Sequence, residues 1–457
     1  REVDSRTLEA DAEIGARVLE TAKHVSEAPG SEAVTERWSW VEASIWSERM
    51  LAALEKGVKG GKWFSLIDKV YAPETLRIAW QQVASRAGGS GVDGQSIEDF
   101  ARHAERHLKE LEGALRTGSY RAQRVREVQI PKAAGQWRRL GIPTIKDRIV
   151  QTALKLVIEP IFEKEFLAMS YGFRPQRGCK DALREVAQAL QAGHCWVVDA
   201  DIAHYFDSIA HDALLQRIEQ RISDGRVLGL LRQWLKSGVL ELMGEWTPMR
   251  GTPQGAVISP LLANVYLHEF DLQMDRYGYR MVRYADDFVI LCDTQEQAQS
   301  ALEHVQAWMH AHGLQLHPHK TRIGDCRVPG EGFDFLGYRF EAGRRTVRRK
   351  SLRSFKDRVR QRTRRTGGQS LQSVIDALNP MLRGWFNYFK HAHVHTFRAL
   401  DGFIRRRLRS ILRHHAHRPG RGVTPEDHRR WSNAYFVERG LFTLSLAHAL
   451  ERQSRCR

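Results

Sequence analysis

The chain has 457 residues, with 71 lysines and arginines against 54 aspartates and glutamates, and so a formal net charge of +17. Its 42% hydrophobic and 27% charged residues are the composition of a folding chain, and the length allows several domains with a substantial core. No apolar run approaches the roughly 20 residues of a membrane-spanning helix, and no signal-peptide core opens the chain. The basic excess points to a polyanion, nucleic acid ahead of an anionic membrane surface. Cys179, Cys195, Cys292, Cys326 and Cys456 lie far apart with no C-x-x-C spacing. That disfavours a disulfide framework or a thiolate zinc site and suits a reducing cytosol.

Residues 8–24 and 32–56 carry amphipathic helical patterns, followed by a Gly/Lys-rich linker at 57–62 and a loop at 88–94. Helical periodicity returns over 97–115. Residues 125–130 alternate like a strand, and 131–137 form a turn. Asp147 is the expected N-cap of a long helix in which Val150, Ala153, Leu154, Val157, Ile158 and Ile161 make one apolar face. Residues 196–202 read as a strand and 210–240 as helix broken near Gly225. Residues 259–271 read as helix, 281–291 as a hairpin folded about Ala285–Asp287, and 295–312 as helix. Residues 333–340 read as one strand, and helix dominates beyond Arg348. Twelve of the 22 residues from 344 to 365 are Lys or Arg, and 398–421 is almost free of acids.

Three segments carry the chemistry. The first is Tyr284-Ala285-Asp286-Asp287, two adjacent acids at the tip of a short apolar hairpin. Side chains alternate faces on a strand, so adjacent carboxylates share one site only at a turn. Their mutual repulsion is relieved by a hard divalent cation with oxygen ligands. A solvated Asp-Asp turn is the plain alternative. The second is an apolar strand ending in Asp199-Ala200-Asp201-Ile202, followed by Tyr205-Phe206-Asp207. A third carboxylate there would complete a cage for two ions, but Asp199 and Asp201 lie on the same face, and alternation does not choose between them or Asp207. The third is Arg250-Gly251-Thr252-Pro253-Gln254-Gly255, a Gly/Pro loop that feeds a helix and permits close backbone approach to an anion.

In this order the three segments resemble reverse transcriptases, and more narrowly the bacterial group II intron-encoded reverse transcriptase/maturase. Supporting segments are Gly91-Val92-Asp93-Gly94, Ile130-Pro131-Lys132, Arg138-Arg139-Leu140-Gly141-Ile142-Pro143, Ser170-Tyr171-Gly172-Phe173-Arg174-Pro175, Phe335-Leu336-Gly337-Tyr338 and Arg383-Gly384-Trp385-Phe386-Asn387-Tyr388. The resemblance covers about residues 60–445. It implies an α+β right-hand polymerase, with fingers and an antiparallel palm sheet at 60–340. A thumb, or maturase X domain, follows at 341–397 and a basic DNA-binding tail at 398–457, with residues 1–59 a helical extension.

Carried over by residue, the resemblance makes Asp201, Asp286 and Asp287 the catalytic carboxylates and metal ligands, with the Ile202 carbonyl a further ligand. It implies two Mg²⁺ ions, with Mn²⁺ a substitute. Arg138, Arg139, Phe206, Gln254 and Lys320 would bind the incoming dNTP. Phe206 lies under the sugar, where it excludes a 2′-hydroxyl, and Lys320 near the leaving pyrophosphate. Arg148 and Arg174 would touch template or nucleotide, and Phe335, Leu336, Gly337 and Tyr338 would grip the primer. The partners implied are intron RNA, a DNA target or primer and dNTPs, with no membrane, in a bacterial cytoplasm at the nucleoid. The absence of Cys pairs resembles the endonuclease-less type. The aromatic cluster Trp385, Phe386, Tyr388 and Phe389 reads as helix-packing core. The histidine groups at 310–319, 391–395 and 414–417 lack carboxylate or thiolate partners at ligand spacing, so metal ligation there is not expected. Two other functions are open to such a chain: a domesticated relative in DNA repair or phage defence, and an RNA-binding splicing factor without polymerase activity.

Overall fold

The computed structural model describes residues 37–86, 88–131, 137–238 and 257–455. The helix expected at 8–24 lies outside them. Helix α1 (Glu48–Lys56) is shorter than the 32–56 expected, because Ser47 caps its start by accepting from the Met50 amide. Helices α2 (Pro73–Ser85) and α3 (Ala104–Thr117) follow, a separate turn of helix at Ile97–Ala101 preceding the latter. Strands β1 (Arg126–Pro131) and β2 (Trp137–Ile142) form an antiparallel hairpin.

Helix α4 (Ile145–Glu163) is the spine of this half, and 15 of its residues are buried. Its N-cap is Thr144, not Asp147: the Thr144 hydroxyl accepts from the Asp147 amide at 3.1 Å and donates to the Asp147 carboxylate at 2.8 Å. Asp147 is therefore the third helical residue, where a carboxylate meets the free amides of a helix start. It also accepts from the Tyr120 hydroxyl, and burial pushes its carboxyl above the usual range.

After α5 (Cys179–Gln191) come strand β3 (Trp196–Asp201), the short α6 (Tyr205–Ser208), and helices α7 (His211–Glu219) and α8 (Gly225–Lys236). Helix α9 (Ser259–Arg276) leads into β4 (Arg280–Tyr284), β5 (Asp287–Cys292), α10 (Gln295–Ala311) and β6 (Arg322–Asp325). The palm sheet has the order β4-β5-β3-β6, and the β4–β5, β5–β3 and β3–β6 pairings are all antiparallel.

Strand alternation divides the apolar residues between two cores. Val198, Ala200, Met281, Phe288 and Ile290 join α4, α9 and α10 in one. Val197, Val282, Tyr284, Val289 and Leu291 join the C-terminal third in the other. The described part of the N-terminal extension belongs to the first core through Trp38, Ile45, Trp46 and Leu54.

The strand expected at 333–340 is a hairpin, β7 (Phe333–Phe335) and β8 (Tyr338–Glu341), extended by β9 (Arg344–Val347). Leu336 and Gly337 take φ of +46° and +85°, the paired left-handed conformation of a two-residue hairpin turn. Helices α11 (Arg349–Arg362), α12 (Leu371–Phe389), α13 (Val394–His415) and α14 (Leu444–Arg455) complete the fold. Trp385, Phe386 and Phe389 are buried, as expected for packing residues. The boundary expected at 397/398 falls inside α13. Phe397, Leu400, Ile404, Leu408 and Ile411 recur at helical spacing and share one core with Val374, Leu378, Leu382 and Trp385. Asp401, buried, accepts from the amides of Leu444 and Ser445 at 2.9 Å each and so caps α14. The basic tail is thus packed as part of the thumb. Among the described residues no helix is long and apolar enough to cross a membrane.

Candidate active site

Asp201 ends β3, and Asp287 begins β5 directly opposite it in the antiparallel register. Opposed residues in such a ladder have Cα atoms about 4.5–5.5 Å apart, within reach of carboxylates that share an ion. Asp286 stands in the two-residue turn between β4 and β5, and Ala285 beside it takes φ +59°. Asp199, Asp201 and Asp287 have the parity of Val197, Val289 and Leu291, so all three lie on the thumb-side face of the sheet.

Neighbouring hydrogen bonds orient the Ile202 carbonyl. The Asp201 carbonyl accepts from the His317 amide and the Ala203 amide donates to the Gln315 carbonyl, both at 2.8 Å. Backbone direction alternates along an extended chain, so the Ile202 carbonyl faces the other way, toward the hairpin tip.

Electrostatics mark the cluster. Burial, then the charges of Asp199, Asp286 and Asp201, push the Asp287 carboxyl well above its ordinary range. Burial raises Asp199 to about 7, against the pull of Arg322 at 3.6 Å. The Asp201 carboxylate accepts from the Lys320 ammonium. Among the described residues no three His, Cys, Asp or Glu side chains converge on one ion position, and the Asp201 carboxylate is paired with Lys320. The donor set is nevertheless the kind a hard divalent cation takes: crowded carboxylate and carbonyl oxygens.

The other expected residues divide. Phe206 is buried on α6 immediately after β3, its ring centroid 5.2 Å from that of Tyr205. Arg139 is exposed on β2, 3.9 Å from Glu127. Gln254 and the Arg138 side chain lie outside the described residues. Phe335, Leu336 and Tyr338 are buried. Their turn is fixed to the thumb: Tyr388 donates to the Leu336 carbonyl at 2.7 Å, and Tyr338 donates to the Tyr388 carbonyl at 2.6 Å.

Arg148 and Arg174 are both buried, and Arg174 is engaged throughout by the protein itself. The Arg174 guanidinium is spent inside the protein on Glu163 and on the carbonyls of Phe166, Leu167 and Ser170. Arg148 is buried and donates to the Gly89 carbonyl at 2.7 Å, tying α4 to the glycine loop. A buried charge demands such internal partners.

One constellation was not expected. Arg283, in β4, has no exposed surface. It lies inside the apolar run Met281-Val282-Arg283-Tyr284, and a charge in such a run was the available signal. Its partners Asn264 and Asp271 sit on α9 seven residues apart, two helical turns and so one face. Gly172 packs directly on the hairpin, and its carbonyl accepts from Asn264 at 2.7 Å.

A family model for reverse transcriptase (RNA-dependent DNA polymerase) matches residues 130–340, and one for the group II intron maturase-specific domain matches 352–431. These define the chain as a reverse transcriptase joined to a maturase domain. It is 33% identical over 317 residues to protein YkfC of Escherichia coli, covering 60% of this chain and 82% of that one. It is 38% identical over 202 residues to the group II intron-encoded protein LtrA of Lactococcus lactis, covering 44% and 33% respectively. It is 30% identical over 205 residues to a putative COX1/OXI3 intron 1 protein of Saccharomyces cerevisiae, covering 45% and 24%. The match thus spans most of YkfC but about a third or less of the two intron proteins. A telomerase from Candida albicans solved with telomeric RNA aligns at a TM-score of 0.37 and 10% identity, over 76% of this chain and 69% of that one. The chain belongs to the group II intron reverse transcriptase/maturase family.

Proposed function

We propose that the protein is an RNA-directed DNA polymerase that copies intron RNA into DNA and assists that RNA's splicing and mobility, in the cytoplasm at the nucleoid. The observation that carries this is the register: Asp201 opposes Asp287, with Asp286 in the adjoining turn. Asp201, Asp286, Asp287 and the Ile202 carbonyl would hold divalent cations, Mg²⁺ with Mn²⁺ as substitute. When bound, these supply a lowered pKa at the primer 3′-hydroxyl and charge neutralisation at the triphosphate.

The chain's own residues do the rest. Phe206, next to β3, limits the space at the sugar and favours dNTPs. Lys320, which donates to Asp201, would serve the leaving group, where an ammonium stabilises charge or donates a proton. Arg139 and Arg138 on β2 offer guanidinium forks to the triphosphate. The turn at Leu336–Gly337 bears on the primer. The face of α11 where Arg349, Arg353 and Lys356, with the Arg360–Asp357 pair, line a groove of about 420 Å³ follows the nucleic-acid backbone.

The test is Asp286→Ala, assayed by primer extension on an RNA template and by RNA binding. cDNA synthesis is expected to vanish while RNA affinity stays within twofold. Retained synthesis would refute the carboxylate assignment. A wild type that makes no cDNA yet promotes splicing of the intron flanking its gene would replace the polymerase reading with that of a splicing factor. A gene with no catalytic intron RNA around it would favour a domesticated enzyme.

A further inference from the structure

The Arg283 guanidinium has five N–H groups and five bonds. Nε donates to Asp271 Oδ1 at 2.7 Å and Nη2 to Asp271 Oδ2 at 2.5 Å, a bidentate pair with no exposure on either side chain. An ion pair alone would need no more. The remaining donors reach three other residues: Nη1 to Asn264 Oδ1, also on α9, at 3.1 Å and to the Ala285 carbonyl at 2.9 Å, and Nη2 to Ser170 Oγ at 2.8 Å. The Ala285 carbonyl belongs to the turn that bears Asp286.

The backbone repeats the linkage. The Arg283 amide donates to the Met169 carbonyl at 2.8 Å, and the Tyr171 amide donates to the Arg283 carbonyl at 2.9 Å. Asn264 holds Arg283 with its oxygen and the Gly172 carbonyl with its nitrogen. Its helix, α9, follows the Arg250–Gly255 loop in the chain after only three residues, 256–258. Ala285 has a positive φ that alanine rarely adopts, so the turn needs an outside hold.

We propose that Arg283 is a positioning residue of the polymerase: fixed by Asp271 and Asn264 on α9 and by Ser170, it holds the Ala285 carbonyl, and with it the Asp286–Asp287 turn, in register with Asp201. It touches no substrate. It acts by tying α9 and the 170–172 segment to the hairpin. This rests on the hairpin being the carboxylate site proposed above, and one readout below does not depend on that.

The test uses the full chain with Asn264→Ala, which removes a neutral member of the network, and Arg283→Lys, which keeps a cation for Asp271 but cannot also reach Ala285. Primer extension separates kcat from KM for dNTP and template–primer. Amide hydrogen exchange follows residues 284–287 in the free protein. Expected in both variants are a fall in kcat of about tenfold or more, as for a site displaced by a fraction of an ångström, little change in KM for template–primer, and faster exchange at 284–287. Should Arg283→Lys fail to fold, Asn264→Ala decides. Unchanged kcat with unchanged exchange, or a lowered melting temperature with neither altered, overturns the inference. A wild type without polymerase activity sinks the functional reading instead, and exchange alone then judges the positioning.

Discussion

Replacing Gly172 by alanine probes how closely the 170–172 segment bears on the hairpin. A Cβ at this position would stand 2.4 Å from the Ala285 nitrogen, 2.9 Å from the Tyr284 carbonyl carbon and 3.0 Å from Tyr284 Cδ1. Contacts below 3.4 Å are already tighter than nine in ten real Cβ contacts, so the two segments must part by roughly 1 Å, the difference between 3.4 and 2.4. The two nearest atoms are backbone, pinned by the β4–β5 ladder and by Arg283, so no rotamer change relieves the clash. Gly172 does not have the positive φ that would strain an alanine by itself, so the effect is steric alone. Overpacking of this kind costs about 1–3 kcal/mol. A displacement of about 1 Å at a reacting centre costs about a hundredfold in rate. Gly172→Ala is therefore expected to melt a few degrees lower, to bind RNA normally, and to lose about two orders of magnitude in kcat for primer extension. Synthesis within twofold of wild type, in a protein that melts at the wild-type temperature, would show that Gly172 does not press on the turn.

Three other perturbations test the frame around the site. Tyr388→Phe removes the donor to the Leu336 carbonyl at a cost of about 1 kcal/mol and should shorten products in a single-encounter extension assay; unaltered product length would disconnect α12 from the turn. Asp401→Ala leaves the Leu444 and Ser445 amides without their acceptor and should lower the stability of the whole C-terminal core by about 1–3 kcal/mol. If proteolysis releases only residues beyond 440 while the remainder melts as before, the tail is not part of that core. Joint replacement of Arg353 and Lys356 by alanine should reduce the slope of log affinity against log salt by about 1.5, two phosphate contacts at 0.7–0.9 each. An unchanged slope would move the nucleic-acid path off α11.

Much of the palm was legible because its strands alternate and its helices hold period. The hairpin at 280–292 and the strand at 196–201 come directly from that pattern. Parity could not separate Asp199 from Asp201, and in the fold the two do share a face. What stayed hidden depends on partners distant in sequence. The resemblance gave Arg148 and Arg174 as template or nucleotide contacts, whereas their internal partners, the Gly89 carbonyl and the 163–170 turn, are assembled only by folding. Thr144 displaced Asp147 as cap, since the chain offers two acceptable residues three apart and the helix start decides. The turn at Leu336–Gly337 was masked by an apolar leucine that continues the strand pattern. The boundary at 397/398 followed a change in charge, but that charge is only the outer face of a helix whose inner face is apolar.

That helix has a mechanical consequence. Twenty-two residues of unbroken α13 make a rod of about 33 Å, at 1.5 Å per residue. Its apolar stripe from Phe397 to Ile411 is packed in the thumb core, and its last turn carries Arg413, His414 and His415. A tilt of about 5° at the base carries the far end through about 3 Å over that length. Any rotation of the thumb core is therefore passed along the helix to its last turn, with no slack joint to absorb it.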